Sequence, residues 1–244
     1  MALNYRNMWL SKSGQMAQRA PEQSKRIQMK KIDRLYIVAH CGNRILKSMK
    51  FRYLSKSIFA GCKGDGQNYE YVNFRGAHFS KSTFKSSGFK GCDFWGTTFN
   101  KCKFTDALFQ DCVFQGCKFK DCDFENAKIQ YSAIVNTNTE VCQGMLIEKT
   151  TLVLKEYPTF EMQPLLLASM EKLRDNTKLR KTKVLWISNM KPNYLNIYLL
   201  RRKYTETEIA KYLDNLSFKD IDKLTTYGGL SWGLRNFSTQ YTMK

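Results

Sequence analysis

The side chains of this 244-residue sequence that could do chemistry are few and poorly grouped. Its two histidines, His40 and His78, stand in unrelated contexts. No glycine-rich phosphate loop, no HExxH and no GxSxG occurs. Asp121, Asp123 and Glu125 alternate along a regular stretch and read as solvated surface. Cysteine is the one reactive type in quantity, with eight residues. Five of them, Cys92, Cys102, Cys112, Cys117 and Cys122, are separated by multiples of five. That period, rather than thiol chemistry, organises the chain.

A phenylalanine occupies every fifth position at Phe74, Phe79, Phe84, Phe89, Phe94, Phe99, Phe104, Phe109, Phe114, Phe119 and Phe124. Ile129 and Ile134 continue the phase, and Met49, Leu54, Phe59 and Tyr69 hold it upstream, with Gly64 the one defect. From Phe79 onward a small residue stands two before each large one: Ala77, Ser82, Ser87, Thr97, Ala107, Ala127, Ser132 or one of the five cysteines. A period of five fits neither the 3.6 of a helix nor the 2 of a flat strand. It fits a chain that turns a corner every five residues, so that four pentapeptides close a square coil. Both columns then point inward, and residues 20 apart stack at the β spacing of roughly 4.7–4.9 Å. Corner positions two residues after each phenylalanine hold Gly76, Gly91, Gly96, Gly116, Asp106, Asp111, Asp121 and Asn126, all types that accept tight turns.

One large apolar and one small residue in every five resembles the pentapeptide-repeat proteins. The resemblance covers roughly residues 49–134 and is most regular from Gly91 to Lys128, where FKGCDF and FKDCDFENAKI stand. It implies a mainly β fold, a right-handed quadrilateral β-helix solenoid, with an N-terminal cap and a helical C-terminal region. The expected division is 1–48 for basic tail and cap, 49–140 for the solenoid, and 141–244 for a mainly helical cap, dimerisation or partner-binding element. The best-known family members resemble double-stranded DNA in shape and charge and bind type II topoisomerases. They are acidic, whereas residues 49–134 here carry 13 basic and 8 acidic groups. A cationic rod cannot mimic DNA electrostatically. Other members resemble secreted effectors or membrane-associated proteins, which leaves an anionic-membrane role for the basic N-terminus open.

Within such a coil the five cysteines become small buried filler. A metal site needs converging ligands, and parallel ladders do not converge. No cofactor and no catalysis are therefore expected. No apolar run of about 18 residues occurs, so no transmembrane helix is expected. The polar, basic N-terminus lacks the apolar stretch of a signal peptide, which points to a cytoplasm and reduced thiols.

Net charge is +19, divided as +8 over residues 1–48, +5 over 49–134 and +6 over 135–244. Such a field attracts polyanions and acidic proteins. The square coil assigns outward residues to faces. One carries His78, Lys81, Lys101, Lys118 and Lys120 against Asp121 alone, a candidate for an acidic partner or simply a solvated face. Another carries Trp95, Val113, Ala133 and Val135, nearly uncharged, suited to packing a flanking segment or a partner. The other two are mixed in sign.

In the flanks, Ile32, Leu35, Tyr36, Ile37 and Val38 read as the N-terminal cap, while residues 1–29 are basic, with Met8, Trp9 and Leu10 able to dock. Downstream, helices are expected from Pro164 through Leu173 and from about Pro192 to Arg201, Arg202 and Lys203. Lys178, Arg180, Lys181 and Lys183 make a basic stretch between them, followed by the apolar run from Val184 to Ile187. Thr205 with Glu208 and Ser217 with Asp220 start two short helices, the second stopped by Gly228 and Gly229. Their pairing beside the arginines invites a helix-turn-helix reading, but Asp220 and Asp222 make a poor recognition helix. Function narrows to a non-catalytic scaffold for a protein or nucleoprotein partner, with direct nucleic-acid binding through tail, lysine face and Arg201–Lys203 as the alternative.

Overall fold

The computed structural model describes residues 36–37 and 45–242. The basic tail, with Met8, Trp9 and Leu10, His40, and most of the expected cap lie outside the described residues. Of that cap, Tyr36–Ile37 is a strand, paired in parallel with Ile58–Ala60.

Four parallel walls form the coil. The first stacks Ile58–Ala60, His78–Ser80, Thr98–Asn100 and Lys118–Lys120. The second is held by single bridges from Ile45 through Lys63, Thr83, Lys103 and Asp123 to Gln143. The third runs through Met49–Lys50, Asn68–Glu70, Gly88–Lys90, Leu108–Gln110 and Lys128–Gln130 to Leu146–Ile147. The fourth begins as bridges joining Tyr53, Asn73, Asp93 and Val113, then becomes the strands Val113–Gln115, Ala133–Val135 and Leu152–Leu154. From Met49 to Ile134 the paired residues of successive coils lie 20 positions apart, so the sequence period becomes a spatial stack.

The inward rings stack face to face along each ladder. Phe79 and Phe99 lie 5.1 Å apart at 14°, Phe89 and Phe109 4.7 Å at 7°, and Phe94 and Phe114 5.0 Å at 13°. Around one coil the rings meet edge to face instead, as Phe99 and Phe104 do at 81°. Both arrangements favour the aromatic quadrupole. The expected corners all lie in the left-handed region, including Asp106, Asp111, Asp121 and Asn126 at φ of 56°, 54°, 50° and 56°. The defect at Gly64 has a steric cause. A side chain there would run into the Tyr69 hydroxyl and the Phe84 ring. That hydroxyl donates to the Leu46 carbonyl at 2.7 Å, so a tyrosine in the neighbouring column fills the vacancy.

Pairing continues past residue 140, beyond the boundary expected from the repeat. Ile147 pairs under Ile129 and Val153 under Ile134, at spacings of 18 and 19 instead of 20. Deletions of two and one residues break the five-residue register without breaking the ladder. In this last row Ile147 and Val153 are 38% and 57% exposed, whereas the residues they stack on are 1% exposed.

Six helices follow: α1 (Pro164–Lys172), α2 (Thr177–Thr182), α3 (Tyr194–Arg201), α4 (Glu206–Asp214), α5 (Phe218–Ile221) and α6 (Tyr227–Thr242). Proline opens α1, and the Asn176 and Asn193 side chains cap α2 and α3. Both expected helix starts carry capping boxes, Thr205 with Glu208 and Ser217 with Asp220. The short helix α5 is a single turn, too brief for a recognition helix. Gly228 and Gly229 do not stop it but lie in the first turn of the 16-residue α6.

Phe104→Ala should cost roughly 3–5 kcal/mol, because its ring is enclosed and stacked on both sides. Phe119→Ala should cost less, since Phe119 is only partly buried in the last row of its sheet. Urea unfolding of both variants checks the ranking.

Candidate partner-binding faces

The first wall presents the expected lysines. His78, Lys81, Lys101, Lys118 and Lys120 are all exposed. Lys81 and Lys101 are corner residues at φ of 48° and 54°, which aims both side chains from the edge shared with the second wall. Among the described residues none of these four lysines has an ion pair. Asp121, in the corner after Lys120, is the acidic residue beside them.

The fourth wall is covered by the chain itself. Val113, Ala133 and Val135 are buried in a second core with Leu166, Leu199, Leu200 and Tyr227 of the helical region. Val113 is 1% exposed and so is closed to a partner. Trp95 is half-buried, sandwiched between the Arg75 guanidinium, 4.0 Å from its ring centroid, and Tyr157. Of the two occupants the sequence allowed for this wall, the structure supplies the flanking segment.

This wall is not the uncharged surface expected. Arg75 and Asp93 stand on it, 3.5 Å apart and both buried. Burial pushes the Asp93 carboxyl up and the Arg75 guanidinium down, and each partner's charge opposes the shift. Arg75 also donates to the Lys183 carbonyl at 3.3 Å, and Asp93 accepts from the Trp95 amide at 3.0 Å. The Asn73 amide donates to the Thr182 and Thr225 carbonyls at 3.1 and 2.7 Å. Thr225 and Thr226 donate to the Tyr71 and Gly91 carbonyls at 2.6 and 2.7 Å. Sequence reasoning missed this network. Its one sequence signal was spacing: Arg75 follows Phe74 and Asp93 precedes Phe94, which places both outward on the same wall.

The arginine cluster is divided. Arg201 is spent within the fold, its Nε 3.0 Å from Glu206 and its guanidinium 4.3 Å from the Phe160 ring centroid. Glu206 in turn accepts the Gln163 amide at 2.6 Å. Arg202 and Lys203 are exposed beside Tyr131, Thr150 and Leu152, in a depression of about 130 Å³. Tyr131 is the corner after Lys128–Gln130, half a coil on from Lys118–Lys120. The structure therefore puts the lysines and this cluster on opposite sides of the coil.

The thiols of Cys92, Cys102, Cys112, Cys117 and Cys122 are all buried inside the coil. Cys92, Cys112 and Cys117 donate to the carbonyls of Tyr69, Phe89 and Phe94, 23 residues earlier, at 3.3, 3.3 and 2.8 Å. Burial pushes the Cys112 and Cys117 thiols up, which holds them protonated. Among the described residues no group of three His, Cys, Asp or Glu side chains is placed to hold a metal ion. No helix of the described residues is long and apolar enough to cross a membrane.

Residues 65–139 match the family model for a pentapeptide repeat region. The coil is therefore a pentapeptide-repeat β-solenoid, with helices at its C-terminal side. Solved structures similar to the chain include a pentapeptide repeat protein, Rfr23, from the cyanobacterium Cyanothece 51142. It shows 10% identity over 46% of this chain and 84% of that one, with a TM-score of 0.25. HetL, a pentapeptide repeat protein involved in heterocyst differentiation regulation in Nostoc sp. strain PCC 7120, shows 12% identity over 50% and 60%, with a TM-score of 0.22. QnrB1, a plasmid-mediated fluoroquinolone resistance protein, shows 14% identity over 48% and 91%, with a TM-score of 0.12. No curated protein matches the chain.

Two substitutions test the docked wall. Asp93→Asn leaves the buried Arg75 without its charge partner and should cost about 3–5 kcal/mol. Gly228→Ala would drive a methyl into the Gly91 backbone and should cost roughly 1–3 kcal/mol by overpacking. Calorimetric melting of each variant measures both losses. A neutral Gly228→Ala would mean that α6 is not seated on that corner.

Proposed function

We propose that this chain is a non-catalytic scaffold that docks an acidic protein, alone or within a nucleoprotein, on the lysine wall of its solenoid. The carrying observation is the contrast between two walls. The fourth is consumed by the chain's own helices, while the first stands exposed with Lys81, Lys101, Lys118 and Lys120 unpaired among the described residues. A ladder of cations on a rigid frame loses little conformational entropy at its backbone on binding, which favours complementarity with a fixed acidic surface. The buried Cys112 and Cys117 thiols, held protonated by their enclosure, support a role without catalysis. They also suit a reducing, cytoplasmic setting.

Direct nucleic-acid binding draws less support. It called on the tail, the lysine face and Arg201–Lys203 together, and the coil separates the last two while Arg201 is tied to Glu206. The helical region gives its apolar side to the fourth wall, so its first role is to cover that wall; self-association through it would need its remaining exposed side.

Affinity pull-down from nuclease-treated lysate should recover a discrete acidic protein. The Lys101→Glu/Lys118→Glu variant should lose it at least tenfold, as should raised salt for the wild type. Equal recovery by the variant overturns the wall as the docking surface. Retention that disappears only on nuclease treatment would favour nucleic acid instead.

A further inference from the structure

Away from the lysine wall, a depression of about 140 Å³ opens between the ends of α1 and α2 and the strand Trp186–Ser188. Arg174, Arg180, Lys183, Trp186, Ser188 and Asn189 line it, and no carboxylate does. At a share of about 30 Å³ per water, it has room for one small oxyanion and roughly two waters.

Two of its cations are placed by the fold. The Arg174 guanidinium lies 5.9 Å from the Trp186 ring centroid, and the indole is fixed by donating to the Met170 carbonyl at 3.0 Å. Lys183 caps α2 at φ 58°, and its ammonium donates to the Ile187 carbonyl at 2.6 Å. Its own carbonyl accepts from Arg75 at 3.3 Å and from Asn193 at 2.9 Å, so the residue is pinned from the solenoid and the helical region together.

The charge here is uncompensated. Burial, with Arg75 and Lys56 close by, holds the Lys183 ammonium below the ordinary lysine range. Asp93, the carboxylate nearest in the network, is committed to Arg75. The Lys183 ammonium is directed to a carbonyl of the strand Trp186–Ser188, while its backbone N–H closes the end of α2 on the Leu179 carbonyl. Helix ends do not use up the two guanidinium groups, however. Neither the Arg174 nor the Arg180 guanidinium has a hydrogen bond or ion pair to a described residue. Each offers five N–H donors in the planar fork that matches a phosphate.

We propose that this depression binds a phosphate group, or a tetrahedral oxyanion of the same charge and shape, with Arg174 and Arg180 as its forks. Lys183 supplies local potential, and the Ser188 and Asn189 side chains offer further polar contacts at the rim. The site is independent of the lysine wall and of the scaffold role drawn from it.

Calorimetric titration of the full chain with inorganic phosphate and with glycerol phosphate, at constant ionic strength balanced by chloride, tests the site. A saturable, one-site heat with either anion is expected. The Arg174→Gln/Arg180→Gln variant should bind at least tenfold more weakly, with an unchanged melting temperature in the absence of phosphate. Lys101→Glu/Lys118→Glu should bind phosphate as the wild type does. If the double variant melts early, Arg180→Gln alone decides, because that side chain is exposed and has no described partner to lose. Preference for glycerol phosphate assigns a phosphomonoester, and binding of inorganic phosphate alone assigns the free anion. Absence of saturable heat with both anions overturns the proposal, as does wild-type affinity in the arginine variants.

Discussion

Each inward ring of this coil must lie on the ring 20 residues away, and most other features answer to that stack. Rings 4.5–5.4 Å apart along the ladders leave no room for a second large side chain per pentapeptide. The column two residues earlier must then be small, which is why it holds alanine, serine, threonine and cysteine. The chain must also reverse direction sharply after every strand, so the corner takes a left-handed residue. Glycine does this without strain, and aspartate and asparagine at modest cost. At Lys81, Lys101, Tyr71 and Tyr131 the stack holds ordinary residues in that region as well. Sulfur enters this column as volume, and the same enclosure holds the Cys112 and Cys117 thiols protonated.

A periodic wall creates a problem for anything that packs on it. Val113, Ala133 and Val135 form an apolar strip whose pattern repeats at the coil spacing, so an apolar helix surface could settle one row up or down at small cost. The polar contacts remove that freedom. Arg75, Asp93 and Asn73 have no equivalents one coil further along, where Trp95, Val113 and Asp93 take their places. A shift by one row would bury an unpaired charge, and burying such a charge costs several kcal/mol. Gly91 and Gly228 act in the same sense, because their backbones approach too closely for any side chain at Gly228. The apolar strip supplies most of the attraction, and the charged pair supplies the register.

The period of five made the interior, the corners and the membership of each wall readable from the residues alone, because one geometric rule governs all of them. The capping boxes at Thr205 and Ser217 were equally readable, since they are local. Features that depend on two distant segments were not. Gly228 and Gly229 look like a helix stop until Gly91 is placed against them. The continuation of the ladder to Ile147 and Val153 was hidden because shortened connections shift the register while leaving the pairing intact. The period places Arg75 and Asp93 outward on the wall that reads as nearly uncharged, and only the docked helices make them a buried pair. Likewise Lys178, Arg180, Lys181 and Lys183 read as a basic stretch of chain, whereas the convergence of Arg180 and Lys183 with Arg174 on a depression depends on how α2 and the following strand fold back.

The lysine wall carries an electrostatic consequence of the same parallel register. Residues in one column repeat at roughly 4.7–4.9 Å, so Lys81 stands directly beside Lys101. Two like charges at that separation repel by about 1 kcal/mol in water, less as the side chains splay and as salt screens them. Elsewhere the chain neutralises such contacts, as with Lys50 and Glu70, stacked one coil apart at 2.7 Å, or Arg75 and Asp93 under the helices. On the first wall Asp121, one coil on from Lys101 in the same corner column, is the one carboxylate beside the four lysines, and it forms no ion pair with a described residue. An acidic surface laid along this wall would remove that repulsion in addition to forming its own contacts. The free coil is accordingly biased toward the bound state before any specific contact is made.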